Sequence, residues 1–194
     1  MAHETDGTFP LRHRYLWVLR HAKAATSSPG GDHGRPLTER GRRDATALAS
    51  RLTAGAGALG VVGPTGEDIP LPRLVVCSTA ARTTETATLA LAGPGGVASE
   101  VRRERAVYGA SVPTALGVLH ELGDAPASVA LVGHNPTAFE LTWELLDPDG
   151  GGRERLEEHG FPTCTLAVVA LPAGSWAEVA PATGRLCGVA SPPY

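Results

Sequence analysis

The sequence predicts an α/β layered fold with a mostly parallel sheet. Two observations carry this reading. Short continuous apolar runs recur along the chain: "YLWVL" at 15–19, "LVVCS" at 74–78 and "SVALVG" at 128–133. Runs of this length suit strands covered on both faces. Between the runs lie segments with helical periodicity, and strands alternating with helices build parallel sheets.

Each element has its own justification. Residues 38–53, "TERGRRDATALASRLT", place Ala45, Leu48, Ala49 and Leu52 on one stripe and the arginines elsewhere, the pattern of an amphipathic helix. Residues 54–73, rich in Gly and Pro, read as a connecting loop. A helix follows the second strand over 82–92, and a variable stretch runs from there to about Val112. Residues 113–122 carry Leu116, Leu119 and Leu122 and predict another helix. "PTAFELTWELL", 136–146, predicts a helix with Phe139, Trp143 and Leu146 on one face. "DPDGGGR" reads as a loop. "TCTLAVVAL" and "SWAEVA" read as two last strands joined by Pro172-Ala173-Gly174.

At 194 residues the chain is expected to be one domain, 1–194, with loose tails at 1–13 and 188–194. His3 and His13 are expected to be solvated in the first tail. The formal net charge of -3 gives no global basic field for nucleic acid. Lys23 is the only lysine. Cys77, Cys164 and Cys187 lack CxxC spacing and are expected as reduced thiols in a cytoplasmic protein. The opening residues have no apolar leader core, and no run is long enough to span a bilayer, so no membrane partner is expected.

Sites in parallel sheets gather at the carboxyl ends of strands. Those ends carry Arg20-His21, then Ser78 with Arg82 four residues on, then His134-Asn135. Two arginines beside two imidazoles form a trap for a dianion, because the guanidinium fork matches phosphate oxygens. Asn135 is a good N-cap residue and Pro136 suits the first helical position, which would set His134 at a helix N-terminus that favours an anion. Arg82 is expected to open another helix. Imidazole can also attack phosphorus, and neighbouring arginines would keep such a nucleophile neutral.

Other patterns lead nowhere. "GAGALG", 55–60, fits a dinucleotide fingerprint by letter but follows a predicted helix rather than a strand. The seven histidines lack zinc-site spacing, so no metal is expected. His33 lies on a loop that could approach the pocket.

Taken together, the motifs resemble those of the histidine phosphatase superfamily, which has the phosphoglycerate-mutase-like fold. Within it the chain is similar to the small SixA-type phosphohistidine phosphatases. "LRHAKA" at 19–24, "DHGRPLTERGRRDA" at 32–45, "CSTAARTTETA" at 77–87, "VYGAS" at 107–111 and "LVGHNP" at 131–136 carry the likeness. "FPTCTLAVVAL" followed by Trp176 matches the terminal strands. The resemblance covers roughly residues 14–186 and implies a three-layer α/β/α sandwich.

It also implies roles. His21 would be the nucleophile, Arg20 and Arg82 the phosphoryl clamp, and His134 the second histidine on the same group. Asn135 and Ser78 would give supporting contacts. Many relatives draw a general acid from the segment between the second and third strands; Glu100 and Glu104 are nearest here, and Glu104 is the expected acid. Lys23, two residues after the nucleophile, could help attract the anion. No metal or organic cofactor is implied. The expected activity is hydrolysis through a covalent phosphohistidine, acting on a phosphorylated protein that carries phosphohistidine. A small phosphate ester as substrate, or a non-catalytic phosphate-binding module, are the alternatives. The short stretch 112–131 leaves little room for a lid, which suits a protein substrate.

Overall fold

A computed structural model describes residues 13–124 and 126–194. In chain order the elements are β1 (His13–Arg20), α1 (Glu39–Thr53), β2 (Leu74–Ser78), α2 (Ala81–Ala87), β3 (Glu100–Glu104), α3 (Val112–His120), β4 (Ser128–Gly133), α4 (Thr137–Leu145), α5 (Gly152–His159), β5 (Leu166–Pro172) and β6 (Arg185–Ala190). Among the described residues the strands form one sheet in the order β3-β2-β4-β1-β5-β6. The β1–β4, β2–β4 and β2–β3 pairs are parallel, whereas β5 runs antiparallel to both β1 and β6.

Strand alternation divides the apolar side chains between two faces. Trp17, Leu19, Val75, Cys77, Ala130, Val132 and Val168 pack with Ala45, Leu48 and Leu52 of α1 and with Ala87 of α2. Leu16, Val18, Val76, Leu131 and Val169 pack on the other face with α3, α4 and Leu156 of α5. Helices on both faces of a largely parallel sheet make the three-layer α/β/α sandwich that was expected.

Several expectations change. The segment 175–180 is not a strand: Trp176–Glu178 form a single 3-10 turn, and the last strand is β6, ten residues later. The "variable stretch" contains β3, an edge strand whose "EVRRE" sequence offers little apolar signal. Edge strands need not be apolar, and charge on them discourages pairing with other chains. The loop reading after Asp147 misses α5, which buries little more than Leu156 and Gly152. Helix α2 ends in a wide turn of π type over Thr88–Ala92. The buried face of α4 is Ala138, Leu141, Thr142 and Leu145, while Phe139 and Trp143 stack on each other at its half-buried flank.

The tails also change. Residues 1–12 lie outside the described residues, and the reading of them, His3 included, with them. His13 is the first residue of β1, opposite Pro172, and is half-buried. Residues 188–194 are no loose tail: Gly188 to Ala190 complete β6, and Tyr194 packs on the core. Cys77, Cys164 and Cys187 are buried free thiols. Among the described residues no helix is long and apolar enough to cross a membrane.

Candidate active site

The central strands align the site in register. In β1, Arg20 lies opposite Gly133 of β4, and Val132 of β4 lies opposite Cys77 of β2. The residues at or just past the strand ends therefore meet: His21, His134 and Ser78. The two imidazole centroids are 5.2 Å apart with rings nearly edge to face. A surface cavity of about 510 Å³ opens over them, lined by Arg20, His21, Lys23, Arg82, His134 and Asn135, with Asp32, Arg35, Tyr108 and Thr163 among its other walls.

The backbone around His21 is fastened on every side. The His21 N–H donates to Gly133 O (3.0 Å) and its carbonyl accepts from Cys164 N–H (3.1 Å). The Ala22 N–H donates to Thr86 Oγ1 (3.0 Å), a side chain on α2. The Lys23 carbonyl accepts from Thr38 N–H (2.9 Å) and from Thr38 Oγ1 (3.0 Å). The same Thr38 hydroxyl caps α1 by accepting from Gly41 N–H (3.1 Å). Gly41 has to be glycine for this approach, since a Cβ there would lie 2.2 Å from Lys23 O.

Side-chain bonds then set proton positions. His21 Nδ1 is 2.7 Å from Ala22 O. A carbonyl only accepts, so Nδ1 carries the proton and Nε2 keeps its lone pair. Burial lowers the His21 pKa from 6.5 to about 4 against the Ala22 bond, and Arg82 and Arg20 push the same way. His134 falls to about 3, chiefly through burial, then through His21 and Arg82. Both rings are thus neutral near pH 7. His134 Nε2 is 2.9 Å from Ser78 Oγ, which is fully buried at the end of β2. Tyr108 stands edge-on to His134, 5.6 Å between centroids.

The cations line the same cavity. Arg82, in the first turn of α2, is 4 % exposed. Arg20 is half-buried, and its Nη1 donates to Phe161 O (2.6 Å). The Nε–H groups of Arg20 and Arg82 are buried without an acceptor. Lys23 is exposed at the cavity lip. Asn135 lies in the wall, but it does not cap α4: its Nδ2 donates to Phe161 O (3.1 Å), and α4 begins at Thr137. His134 O instead accepts the first helical bond, from Ala138 N–H (2.8 Å).

Glu104 is not brought to the cavity. It ends β3, pairs with Arg102 (3.2 Å) and accepts from Ala106 N–H (3.3 Å). That backbone bond and Arg102 hold its pKa below the usual carboxylate range, the wrong direction for a proton donor. The carboxylate that does line the cavity is Asp32, alone in this among the described residues. Its Oδ2 accepts from Arg82 Nη2 (3.0 Å) and Tyr108 Oη (2.9 Å), and its Oδ1 from Arg35 Nε (2.8 Å). Tyr108 first, then Arg35 and Arg82, keep it ionised far below the ordinary range. Asp32, Arg35 and Tyr108 were not singled out from sequence, although "DHGR" and "VYGAS" contain them. His33 stands beside the cavity, its Nε2 3.0 Å from Thr79 Oγ1.

Comparison with known proteins follows the same line. No family model matches the chain. The uncharacterized protein Rv1276c of Mycobacterium tuberculosis is 32 % identical over 173 residues, 88 % of this chain and 97 % of that protein. A solved structure from Nakamurella multipartitia, carrying the provisional name phosphohistidine phosphatase SixA, is 32 % identical, covers 94 % of this chain and 98 % of its own, and superposes with a TM-score of 0.73. A similarly named structure from Agrobacterium tumefaciens is 27 % identical over 92 % of this chain and 98 % of its own, with a TM-score of 0.67. The chain belongs to the histidine phosphatase superfamily, on the phosphoglycerate-mutase-like fold.

Proposed function

We propose that this phosphatase hydrolyses protein phosphohistidine by way of a phosphoryl group carried on its own His21. The observation that supports it most directly is the pair of neutral imidazoles, 5.2 Å apart, in a cavity that Arg20 and Arg82 also line. The free Nε2 lone pair of His21 attacks phosphorus, and the bond from phosphorus to the leaving nitrogen breaks. Arg20 and Arg82 take charge from the equatorial oxygens as the group transfers.

His134 completes the cradle. In this mechanism the Ser78 hydroxyl, 2.9 Å from His134 Nε2, is the donor of the bond between them, which leaves the His134 proton on Nδ1 to be offered to a phosphoryl oxygen. Water then attacks the phosphohistidine, releasing phosphate and restoring His21. A leaving imidazole protonated from solvent departs neutral. Asp32, the one carboxylate in the cavity among the described residues, is held ionised and is a poor donor. A site without an acid of raised pKa fits phosphohistidine better than an alkyl ester, whose alkoxide needs a proton.

The test is phosphate release from a phosphohistidine protein, run beside a panel of small phosphate esters, with His21→Ala as control. Fast release that depends on His21, with slow ester turnover, is expected. Preferred ester turnover would keep the mechanism and replace the substrate. Activity that survives His21→Ala would refute the covalent route, and no turnover at all would make the chain a phosphate-binding module.

A further inference from the structure

The turn 161–165 grips the site from the β5 side. Phe161 O accepts from both Arg20 Nη1 and Asn135 Nδ2. Thr163 lines the cavity. Thr165 O accepts from Arg20 N–H (2.9 Å), and Cys164 N–H donates to His21 O (3.1 Å). One link in this turn is strained. Cys164 has φ +66°, one of two non-glycine residues in the left-handed region among those described. Its Cβ disfavours that conformation, which only glycine adopts freely. Yet that conformation accompanies the Cys164 N–H aimed at His21 O.

Cys164 is the third residue of a turn closed by Thr165 N–H donating to Pro162 O (3.2 Å), and the segment after β6 packs behind that turn. The Tyr194 hydroxyl donates to Cys164 O. The Tyr194 ring packs on the core cluster that includes Trp17, Leu19 and Cys164 itself. Ser191 Oγ lies 3.0 Å from Thr165 Oγ1, on the next residue of the turn. The segment therefore braces the turn from behind, and the turn braces the His21 backbone.

We infer that Tyr194 is a positioning residue for His21: it holds the strained Cys164 peptide so that its N–H keeps the His21 carbonyl in place. The expected loss of rate rests on the proposed role of His21 as nucleophile; the brace on its backbone does not. Strained backbone at a functional site persists only where its surroundings enforce it. Removing the hydroxyl lets Cys164 relax toward φ below zero and releases the His21 carbonyl. The imidazole then loses its fixed approach to phosphorus, and small misplacements of a nucleophile cost rate rather than binding alone.

A set of variants separates this from a stabilising role. Tyr194→Phe keeps the ring and removes the hydroxyl. It should slow single-turnover phosphoryl transfer to His21 about tenfold per folded molecule, with folded fractions taken from urea titration. Adding Cys164→Gly removes the strain and should restore the rate to within about twofold, because glycine needs no brace. Adding Cys164→Ala instead keeps the strain and should not restore it. Wild-type transfer in Tyr194→Phe, or equal results with Gly and Ala, would overturn the inference. Should Tyr194→Phe fail to fold alone, the pair with Cys164→Gly should fold and transfer normally; failure there would overturn it too. Inorganic phosphate affinity, read by calorimetry, gives an answer that does not need turnover. If the wild type never phosphorylates His21, the proposed function falls, and a weaker phosphate affinity in Tyr194→Phe that Cys164→Gly repairs still supports the brace. Unchanged affinity would then refute it.

Discussion

Acidification should destabilise this protein through its two site histidines before any carboxylate titrates. The sign follows from their direction of shift. His21 falls from 6.5 to about 4 and His134 to about 3, each chiefly through burial. In the unfolded chain both rings take protons near pH 6.5, so below that pH the unfolded state binds more protons than the native state. Stability is therefore unaffected above about pH 7 and declines as pH falls through 6.5 towards 4. At pH 5 the unfolded rings are almost fully charged and the native ones almost neutral, which amounts to about 2 kcal/mol per ring. Both rings are partly exposed, and solvent screening reduces the pair to about 2–3 kcal/mol. That is a sizeable share of the 5–15 kcal/mol typical of a domain. The assay is urea unfolding at pH 7.5 and 5.0 in phosphate-free buffer, comparing wild type with His21→Gln/His134→Gln. Wild type should lose about 2–3 kcal/mol and the double variant well under half of that. Equal losses in both proteins would show that other groups carry the pH dependence, and no loss in wild type would show that the rings titrate normally when folded.

Three further outcomes follow from the site. Arg82→Ala should lower turnover by about 10²–10³, the scale of removing a preorganised donor from a developing charge; an unchanged steady-state rate would remove Arg82 from the site. Asp32→Asn should tighten inorganic phosphate binding by roughly fivefold, since it takes an anion off the Arg82 and Arg35 forks, worth about 1 kcal/mol at a solvent-facing position; calorimetry showing weaker binding would mean Asp32 aids the anion instead of competing with it. Glu104→Gln should leave turnover within about twofold, because its carboxylate is engaged by Arg102 and Ala106 outside the cavity; a large kcat loss would return it to the role of acid.

The strands at the centre of the sheet were legible because burial on both faces forces continuous apolar sequence. The edges were not. In β3, Val101 is the one apolar residue, and it is itself exposed. A strand that buries almost nothing leaves no hydrophobic period to read, and the same holds for α5, where Leu156 is the lone large buried side chain. The error at 175–180 has another cause. Trp176 and Val179 are buried, but their spacing belongs to a 3-10 turn stapled by Ser175 and Glu178, a capping box that "SWAE" announces. Apolar content alone misassigned it as a strand.

The site divided along the same line. His21, Ser78 and His134 follow directly from strand ends, so fold class was enough to place them together, and Arg82 came with them through the first turn of α2. Asp32 and Tyr108 are 76 positions apart in sequence and meet on one hydrogen bond. Neither lies at a strand end, and no local period links them. Their meeting changes the chemistry more than any predicted contact. A site read from strand ends alone is purely cationic, and the expectation of Glu104 as acid rests on the resemblance to relatives that draw one from the segment between the second and third strands. The folded site instead holds an ionised carboxylate on the Arg82 fork beside two neutral imidazoles. An entering phosphoryl group must share or displace that carboxylate. Asp32 thus competes with an incoming anion for the Arg82 fork, and the Asp32→Asn binding measurement tests that competition.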